Sequence, residues 1–507
     1  MFWEIIMNLG SLLFESGIEC PEGLSDIEIS SVVTNSNEAC RDCLFVCLRG
    51  LHFDSHTLIR EVISRGAAAV VINRDIAGFC DLPIIRVDDT RAAMARIFAA
   101  YYGNPQKELK FIGVTGTNGK TTTSRMLFEI LRYAGVRTGL IGTVGCFSNS
   151  GKLDIRSGNK LANMTTPDPS ELYKILSVMA EDKVEYVVME VTSHALALKK
   201  VEPIEFDFAL FTNLSQDHLD FHGDMESYYL AKRALFDRCK VAVINCDNAY
   251  GRRLACELEY PITCTEDGRV ATFSATEVRY NGYMGLEYKL NSRRARLRVR
   301  TQIPGNFTVM NSLMAIACAV ELGIPAIVIK KAMMSISGTD GRIERVDLGK
   351  NADIGVFIDY AHTPDALENL IRSAKGFISE GKHLTVLFGC GGERDRDKRR
   401  IMGHIATTLA DMTVITSDNP RGESPDAIIR DIMKGVNKEG RYIVIPDRRE
   451  AIQYAVMNAA SGDVILLAGK GHESYELIGN EKREFSEKQI VLDAFLQRME
   501  RIDRRLQ

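Results

Sequence analysis

The run Phe111-Ile112-Gly113-Val114-Thr115, followed by Gly116-Thr117-Asn118-Gly119-Lys120-Thr121-Thr122-Thr123, constrains this chain more than any other stretch. An apolar run of strand length breaks into a glycine-bearing loop, and Lys120 then opens a helical pattern extending to about Arg132. Strand, tight loop and helix N-terminus make an anion site: backbone N–H groups close on phosphate oxygens, and the helix dipole favours negative charge. Lys120 is placed to reach the β/γ-phosphates and the Thr121 hydroxyl to sit on Mg²⁺. A standard phosphate loop would need glycine at position 114, where Val114 stands, with Gly113 and Gly116 nearest. A chance glycine-rich turn is the plain alternative, and the strand–GxxGKTT–helix order outweighs it. The stretch is a site for ATP or GTP.

At 507 residues the chain exceeds one core and predicts two to four domains. Its 45% hydrophobic and 26% charged residues are ordinary for a globular protein. A net charge of −4, with no polybasic run, offers no basic surface for nucleic acid. No apolar stretch approaches the length of a membrane span. The first 40 residues contain no Lys or Arg, so Met1–Phe14 lacks a signal peptide's basic region and reads instead as an amphipathic helix. Twelve scattered cysteines suit a reducing cytoplasm. Cys40, Cys43 and Cys47 lack the second CxxC or His pair of a zinc site, and residues 43–48 read as a strand, so the cluster is structural.

Residues 1–105 alternate short strands (Leu44–Leu48, Ala68–Ile72, Ile84–Val87) with helical patterns (His56–Arg65, Thr90–Tyr101), which predicts a small α/β domain ending in the turn Tyr102-Gly103-Asn104-Pro105. Residues 106–338 continue the βα alternation around the phosphate loop, with strands at Tyr186–Val191, Phe206–Thr212 and Val241–Asn245. Thr272–Ile303 reads as an antiparallel excursion and Asn306–Leu322 as a helix. Residues 339–507 form a third α/β series with strands Gly355–Ile358, Leu384–Phe388, Thr413–Thr416, Tyr442–Ile445 and Val464–Leu467. The fold class is α/β: a small N-terminal domain, a mostly parallel central sheet of phosphate-loop type, and a C-terminal Rossmann-like domain. Ligands of such sheets sit beyond the strand carboxyl ends, which is where Asp359-Tyr360-Ala361-His362, Asp418-Asn419-Pro420-Arg421 and Gly469-Lys470-Gly471-His472-Glu473 fall.

Glu190, at a strand end beside the phosphate loop, suits Mg²⁺, which prefers oxygen ligands; a capping glutamate is the alternative. His218 is a better metal candidate than His222, which reads as structural. Lys232, in the helical stretch Tyr228–Phe236, reads on its own as part of a solvated helix face.

GTNGKTTT, TTPDP at Thr165–Pro169, MEVTSHAL at Met189–Leu196, NLSQDHLDFHGDMESYYLAK at Asn213–Lys232, YAHTPD, FGCGGERDRDKR, SDNPR at Ser417–Arg421 and GKGHE together resemble the Mur ligases, over essentially the whole chain. Within that family the match is to the branch that adds the third residue of the peptidoglycan precursor peptide. The resemblance implies that ATP phosphorylates the D-glutamate γ-carboxylate of UDP-N-acetylmuramoyl-L-alanyl-D-glutamate. An amine then attacks the acyl phosphate and expels phosphate. It implies catalytic roles for Lys120, Glu190, His218 and Lys232. One Mg²⁺ would lie on Thr121 and Glu190, and a second near Glu190 and His218. Lys232 matches the family's carbamylated lysine, a CO₂ adduct, which reverses the solvated-face reading.

The resemblance also implies ATP contacts from Gly116, Thr117, Asn118, Gly119, Lys120, Thr121, Thr122, Asn311 and Arg342. It implies contacts to the UDP-sugar substrate from Ser36, Thr165, Thr166, Ser193 and Lys200. Asn35 and Asn37 depart from the family's usual Asp and Arg, Lys200 from Arg, Thr308 from Asn and Asp340 from Pro. Asp418, Asn419, Pro420 and Arg421 match the form associated with meso-diaminopimelate; Gly469 and Glu473 would help hold that amino acid's ends. Diaminopimelate carries one carboxylate more than lysine, and the planar fork of Arg421 pairs with it. A cytoplasmic monomer is expected, with closure of the third domain on ATP binding. The alternatives are a lysine-adding enzyme of the same type, a folylpolyglutamate synthetase-like ligase and a non-catalytic phosphate-loop regulatory protein. A motor or switch ATPase would show standard loop spacing, and a GTPase NKxD; neither is present.

Overall fold

The strand Lys110–Thr115 lies at the middle of a parallel array, flanked by Tyr186–Glu190 on one side and Phe206–Phe211 on the other. This computed structural model describes residues 6–50, 53–75, 83–153, 164–336, 343–349, 352–376, 378–393, 395–471, 473–479 and 481–506. The chain forms two compact units, Met1–Thr263 and Cys264–Gln507.

In the first unit five parallel strands follow the order Thr138–Gly142, Tyr186–Glu190, Lys110–Thr115, Phe206–Phe211, Cys239–Asn245. Their residues are almost all buried, as strands covered on both faces require. Gly113 is needed where it stands, because a Cβ there would sit 2.9 Å from the Phe206 ring. An antiparallel edge, Gly145–Ser148 and Gly151–Lys152, extends this array. The connection from Lys110–Thr115 runs to Thr138–Gly142 on one side, and the one from Tyr186–Glu190 crosses to Phe206–Phe211 on the other, so the loop after Lys110–Thr115 opens at a topological switch point.

A second, separate sheet of four parallel strands, Ser31–Val33, Cys43–Val46, Ala69–Ile72 and Ile84–Arg86, forms the N-terminal part. Cys43 and Cys47 are buried there around Phe45, and burial pushes the Cys47 thiol up to about 12. The helix expected over Met1–Phe14 is shorter. Met7–Asn8 pairs as a strand with Glu28–Ile29, and the helix runs Leu9–Glu15. Asn8 ends the strand and caps the helix, its Oδ1 accepting from Ser11 N at 2.8 Å. Residues 1–5 lie outside the described residues.

In the second unit Phe273–Tyr280, Leu286–Ser292 and Arg296–Thr301 form the expected antiparallel meander, followed by the helix Phe307–Glu321. The charge reading missed one run: residues 293–300 carry five arginines. Arg298 and Arg300 are answered across the sheet by Glu277 and Glu287, and Arg294 by Glu321. A six-stranded sheet follows, in the order Glu344–Arg345, Gly355–Asp359, Val464–Ala468, Leu384–Phe388, Met412–Ile415, Tyr442–Val444, parallel except for its first strand. The five parallel strands begin and end within a residue of the sequence expectation, which held no strand at Glu344–Arg345. Among the described residues, no helix is long and apolar enough to cross a membrane.

Candidate functional site

The phosphate loop is held by the next strand. Gly116 has φ +148°, and a Cβ on it would collide with Thr212 Oγ1 and lie 3.0 Å from Asn213 N and O. The loop touches that neighbour through several bonds. Thr117 N donates to Asn213 O (2.9 Å), Asn118 N to Asn213 Oδ1 (2.9 Å), and Thr212 Oγ1 to Asn118 O (2.6 Å). Gly119, at φ +84°, turns the chain into the helix Lys120–Tyr133. The first-turn N–H groups of Lys120, Thr121 and Thr122 have no intrahelical acceptor, which suits an anion. Lys120 Nζ is folded over the loop, donating to the Gly116 and Thr117 carbonyls at 2.9 Å.

Glu190 is wholly buried at the lip of this loop. Its Oε2 accepts from Thr121 Oγ1 (2.9 Å) and Thr143 Oγ1 (3.1 Å), and its Oε1 from Thr143 N (2.9 Å). Gly142 leaves the room, since a Cβ there would meet the Glu190 carboxylate. Burial raises the Glu190 pKa, countered by Lys120 and by these bonds. A desolvated carboxylate among hydroxyls, at an anion-binding loop, is chemically suited to a hard divalent cation. Thr143, which the sequence reading passed over, also lies 3.0 Å from Thr165 Oγ1. Among the described residues, no group of three or more His, Cys, Asp or Glu side chains is gathered as a metal site.

Lys232 corrects the solvated-face reading made from its helical stretch alone. It sits on the helix Met225–Arg233 and is 1% exposed, its Nζ donating to the Gly116 carbonyl at 2.9 Å and lying 4.7 Å from the centre of the Tyr228 ring. Burial, then Lys120, pushes its pKa well down. His218, at φ +52°, is half-exposed, 3.3 Å from Asp217 and 4.8 Å ring to ring from His194.

Two adjoining cavities of about 820 and 500 Å³ share Thr34, Asn35, Leu48 and Arg91. The smaller is lined by Ser36, Asn37 and Gly50, the larger by Thr165, Thr166, Lys200 and His218. Lys200 is buried and paired with Asp168 at 2.7 Å. Ser193 does not line either cavity; it is buried, with its Oγ 2.9 Å from His222 Nε2.

In the second unit the loops after three parallel strands converge. Asn419 Nδ2 donates to Glu473 Oε2 (2.8 Å), and a Cβ on Gly469 would lie 3.3 Å from Asp418 Oδ2. Burial raises the Glu473 pKa. Arg421, following Pro420, has φ +49°; its N donates to Leu477 O (3.0 Å) and its O accepts from Gly479 N (2.7 Å), pinning the loop. Its Nη1 donates to Gly392 O at 3.0 Å. The sequence reading also missed Arg399, a buried arginine that bridges Glu423 and Asp431 beneath this loop. Asn311 is buried on the helix Phe307–Glu321, and Thr308 returns its hydroxyl to the Pro304 carbonyl at 2.9 Å. Arg342 and Asp340 lie outside the described residues.

A phosphate loop at a switch point, with a buried carboxylate and a buried lysine beside it, marks an α/β protein of the phosphate-loop kind. Residues 114–319 match the Mur ligase middle domain and residues 341–471 the Mur ligase, glutamate ligase domain. The chain is 39% identical over 488 residues to the UDP-N-acetylmuramoyl-L-alanyl-D-glutamate–2,6-diaminopimelate ligase of Clostridium tetani, covering 96% of this chain and 98% of that one. It is 41% identical over 479 residues to the protein of that name from Caldanaerobacter subterraneus, covering 93% and 95%. A solved structure of a ligase of that name superposes with a TM-score of 0.69 at 28% identity, covering 97% and 100%. MurF from Thermotoga maritima in complex with ADP shares the fold, with a TM-score of 0.56 at 19% identity over 93% and 98% of the two chains. The chain belongs to the Mur ligase family.

Proposed function

We propose that this chain is an ATP-dependent ligase that joins meso-diaminopimelate to the D-glutamate γ-carboxylate of UDP-N-acetylmuramoyl-L-alanyl-D-glutamate, a step in building the peptidoglycan precursor. What carries the reading is the set Thr121, Thr143 and Glu190 at the phosphate loop, on a chain that aligns along nearly its whole length with proteins of that name. The proposed enzyme is a cytoplasmic monomer of three domains, residues 1–105 for the uridine nucleotide, 106–338 for ATP and 339–507 for the amino acid.

The helix N-terminus and Lys120 bind and orient the triphosphate, placing the γ-phosphate for attack by the substrate carboxylate. The adjoining cavities of about 820 and 500 Å³, running from Ser36 to Thr165 and His218, would receive the nucleotide-sugar with its dipeptide, uridine at the Ser36 end. Thr121, Glu190, His218 and a carbamylated Lys232 would hold Mg²⁺, whose charge would offset the repulsion between γ-phosphate and carboxylate. A neutral amine is the form that adds CO₂: the Nζ–C bond forms as one C=O π bond of CO₂ opens, one proton leaves, and the neutral amine becomes an anionic, carboxylate-like ligand. Burial of Lys232 favours that neutral form. In the second unit Arg421 answers the distal carboxylate of diaminopimelate, while Glu473 takes an ammonium group.

The test is phosphate release with the nucleotide-sugar dipeptide, comparing meso-diaminopimelate with L-lysine. Release with diaminopimelate is expected. Preference for lysine overturns the specificity reading, and release with neither overturns the ligase.

A further inference from the structure

Lys470 has no role in the reading above, yet it is a wholly enclosed charged group at the C-terminal site. It follows Gly469 in the loop after Val464–Ala468, and its side chain is 0% exposed. Its Nζ donates to Asn419 Oδ1 at 2.9 Å and to the Tyr475 carbonyl at 3.0 Å, and lies 3.6 Å from Asp418 Oδ1. An ammonium group has three N–H donors; two are taken by the Asn419 and Tyr475 oxygens, and the charge faces the Asp418 carboxylate at ion-pair range. Lys470 is therefore turned into the protein.

What Lys470 does control is the amide of Asn419. Oδ1 of that amide also accepts from Leu477 N at 3.0 Å, and its Nδ2 donates to Glu473 Oε2 at 2.8 Å. A flipped amide would set its NH₂ against two donors, Lys470 Nζ and the Leu477 N–H. One orientation remains, and it aims an N–H at Glu473.

We propose that Lys470 is a positioning residue for the amino-acid substrate: through the Asn419 amide it fixes the Glu473 carboxylate that receives the substrate's ammonium group. The assignment rests on the ligase reading above. It explains a buried cation between two glycines, where a solvated lysine would otherwise be expected. Leu477 N alone could orient the amide, but Lys470 adds charge: its ammonium polarises Asn419 and faces both Asp418 and Glu473. Among the described residues, the charged and titratable groups that act on Glu473 are Asp418, Lys470, Arg421 and Tyr475. Burial and Asp418 push the Glu473 carboxyl up, while the Asn419 bond, Lys470 and Arg421 pull it down. Removing Lys470 therefore moves it further up.

The experiment uses the full chain and the phosphate-release assay, varying each substrate in turn for the wild type and Lys470→Met, which keeps the apolar stem and removes the donors. The KM for diaminopimelate should rise about 10- to 100-fold, the range for losing a hydrogen bond to a charged group. The KM values for ATP and the nucleotide-sugar dipeptide should hold. The acid limb of kcat/KM for diaminopimelate should move to higher pH. Combined with Asn419→Ala, the losses should be less than additive, because both variants break one relay. Should Lys470→Met not fold, Asn419→Asp, which sets an oxygen against Glu473, must show the same selective KM rise and the same shift of the acid limb. An active wild type with KM and acid limb unchanged in these variants, or strictly additive losses, overturns the assignment alone. A wild type silent with diaminopimelate overturns the ligase reading and this assignment with it.

Discussion

Lys120 and Lys232 donate to one acceptor, the carbonyl of Gly116, each at 2.9 Å. Lys120 is anchored at a helix N-terminus, whereas Lys232 comes from a helix more than a hundred residues on and is 1% exposed. Two full positive charges on one buried carbonyl would be unfavourable. The desolvated partner, Lys232, is the one whose proton is easily lost.

That relationship sets the first prediction. Lys232→Ala should lose most of the phosphate release while keeping its fold. Wild-type enzyme depleted of CO₂ should slow and recover with added bicarbonate, whereas the variant should not respond. Near-normal turnover of Lys232→Ala would remove the carbamate from the mechanism.

Gly116→Ala tests the loop. The new Cβ meets Thr212 Oγ1, and φ +148° is open to glycine but strained for alanine by about 1–3 kcal/mol. Thermal melting should fall and ADP binding, read by calorimetry, should weaken. Unchanged binding would show that the loop does not hold the phosphates.

Arg421→Ala should lower kcat/KM for diaminopimelate about 10- to 100-fold, as expected for a lost charged hydrogen-bond partner. L-Lysine, which lacks the distal carboxylate, should be affected less. Kinetics with both amino acids decide it; equal losses would assign Arg421 to holding the loop through Gly392 rather than to choosing the substrate.

Acid should act through Glu423. Hydrogen bonds from Arg399, then from Glu393 N, hold its carboxyl at about 2, below the ordinary 4.5. Because the folded value is depressed, the contribution to stability is fully present above about pH 4.5. It is lost as pH falls toward 2. Glu423→Gln should be less stable at neutral pH and should flatten the dependence of the melting temperature on pH across that window. An unaltered profile would count against the Arg399 pair as a determinant of acid stability.

The phosphate loop was legible because strand, glycine turn and helix start are each local signals, and the C-terminal strands were legible as continuous apolar runs between breakers. Lys232 was not. A helix period distinguishes two faces, but only the packing partner, here the loop at Gly116, shows which charged residue is enclosed. Lys470 hid for a related reason, since a lysine between glycines looks solvated until Asn419, Tyr475 and Asp418 are brought around it. Thr143 carried no signal of its own; its role comes from lying between Glu190 and Thr165. The strand Met7–Asn8 was too short for any period to reveal.

The Thr143 hydroxyl joins the two sites proposed above for the nucleotide and for the sugar substrate. It contacts Glu190, which faces the nucleotide loop, and Thr165, which lines the cavity of about 820 Å³. A cation on Glu190 competes for the oxygen that holds Thr143, and a substrate on Thr165 competes for its other neighbour. Occupancy at either end then alters affinity at the other by one and the same factor, as thermodynamic reciprocity demands. A substitution at Thr143 would therefore be felt at both ends together.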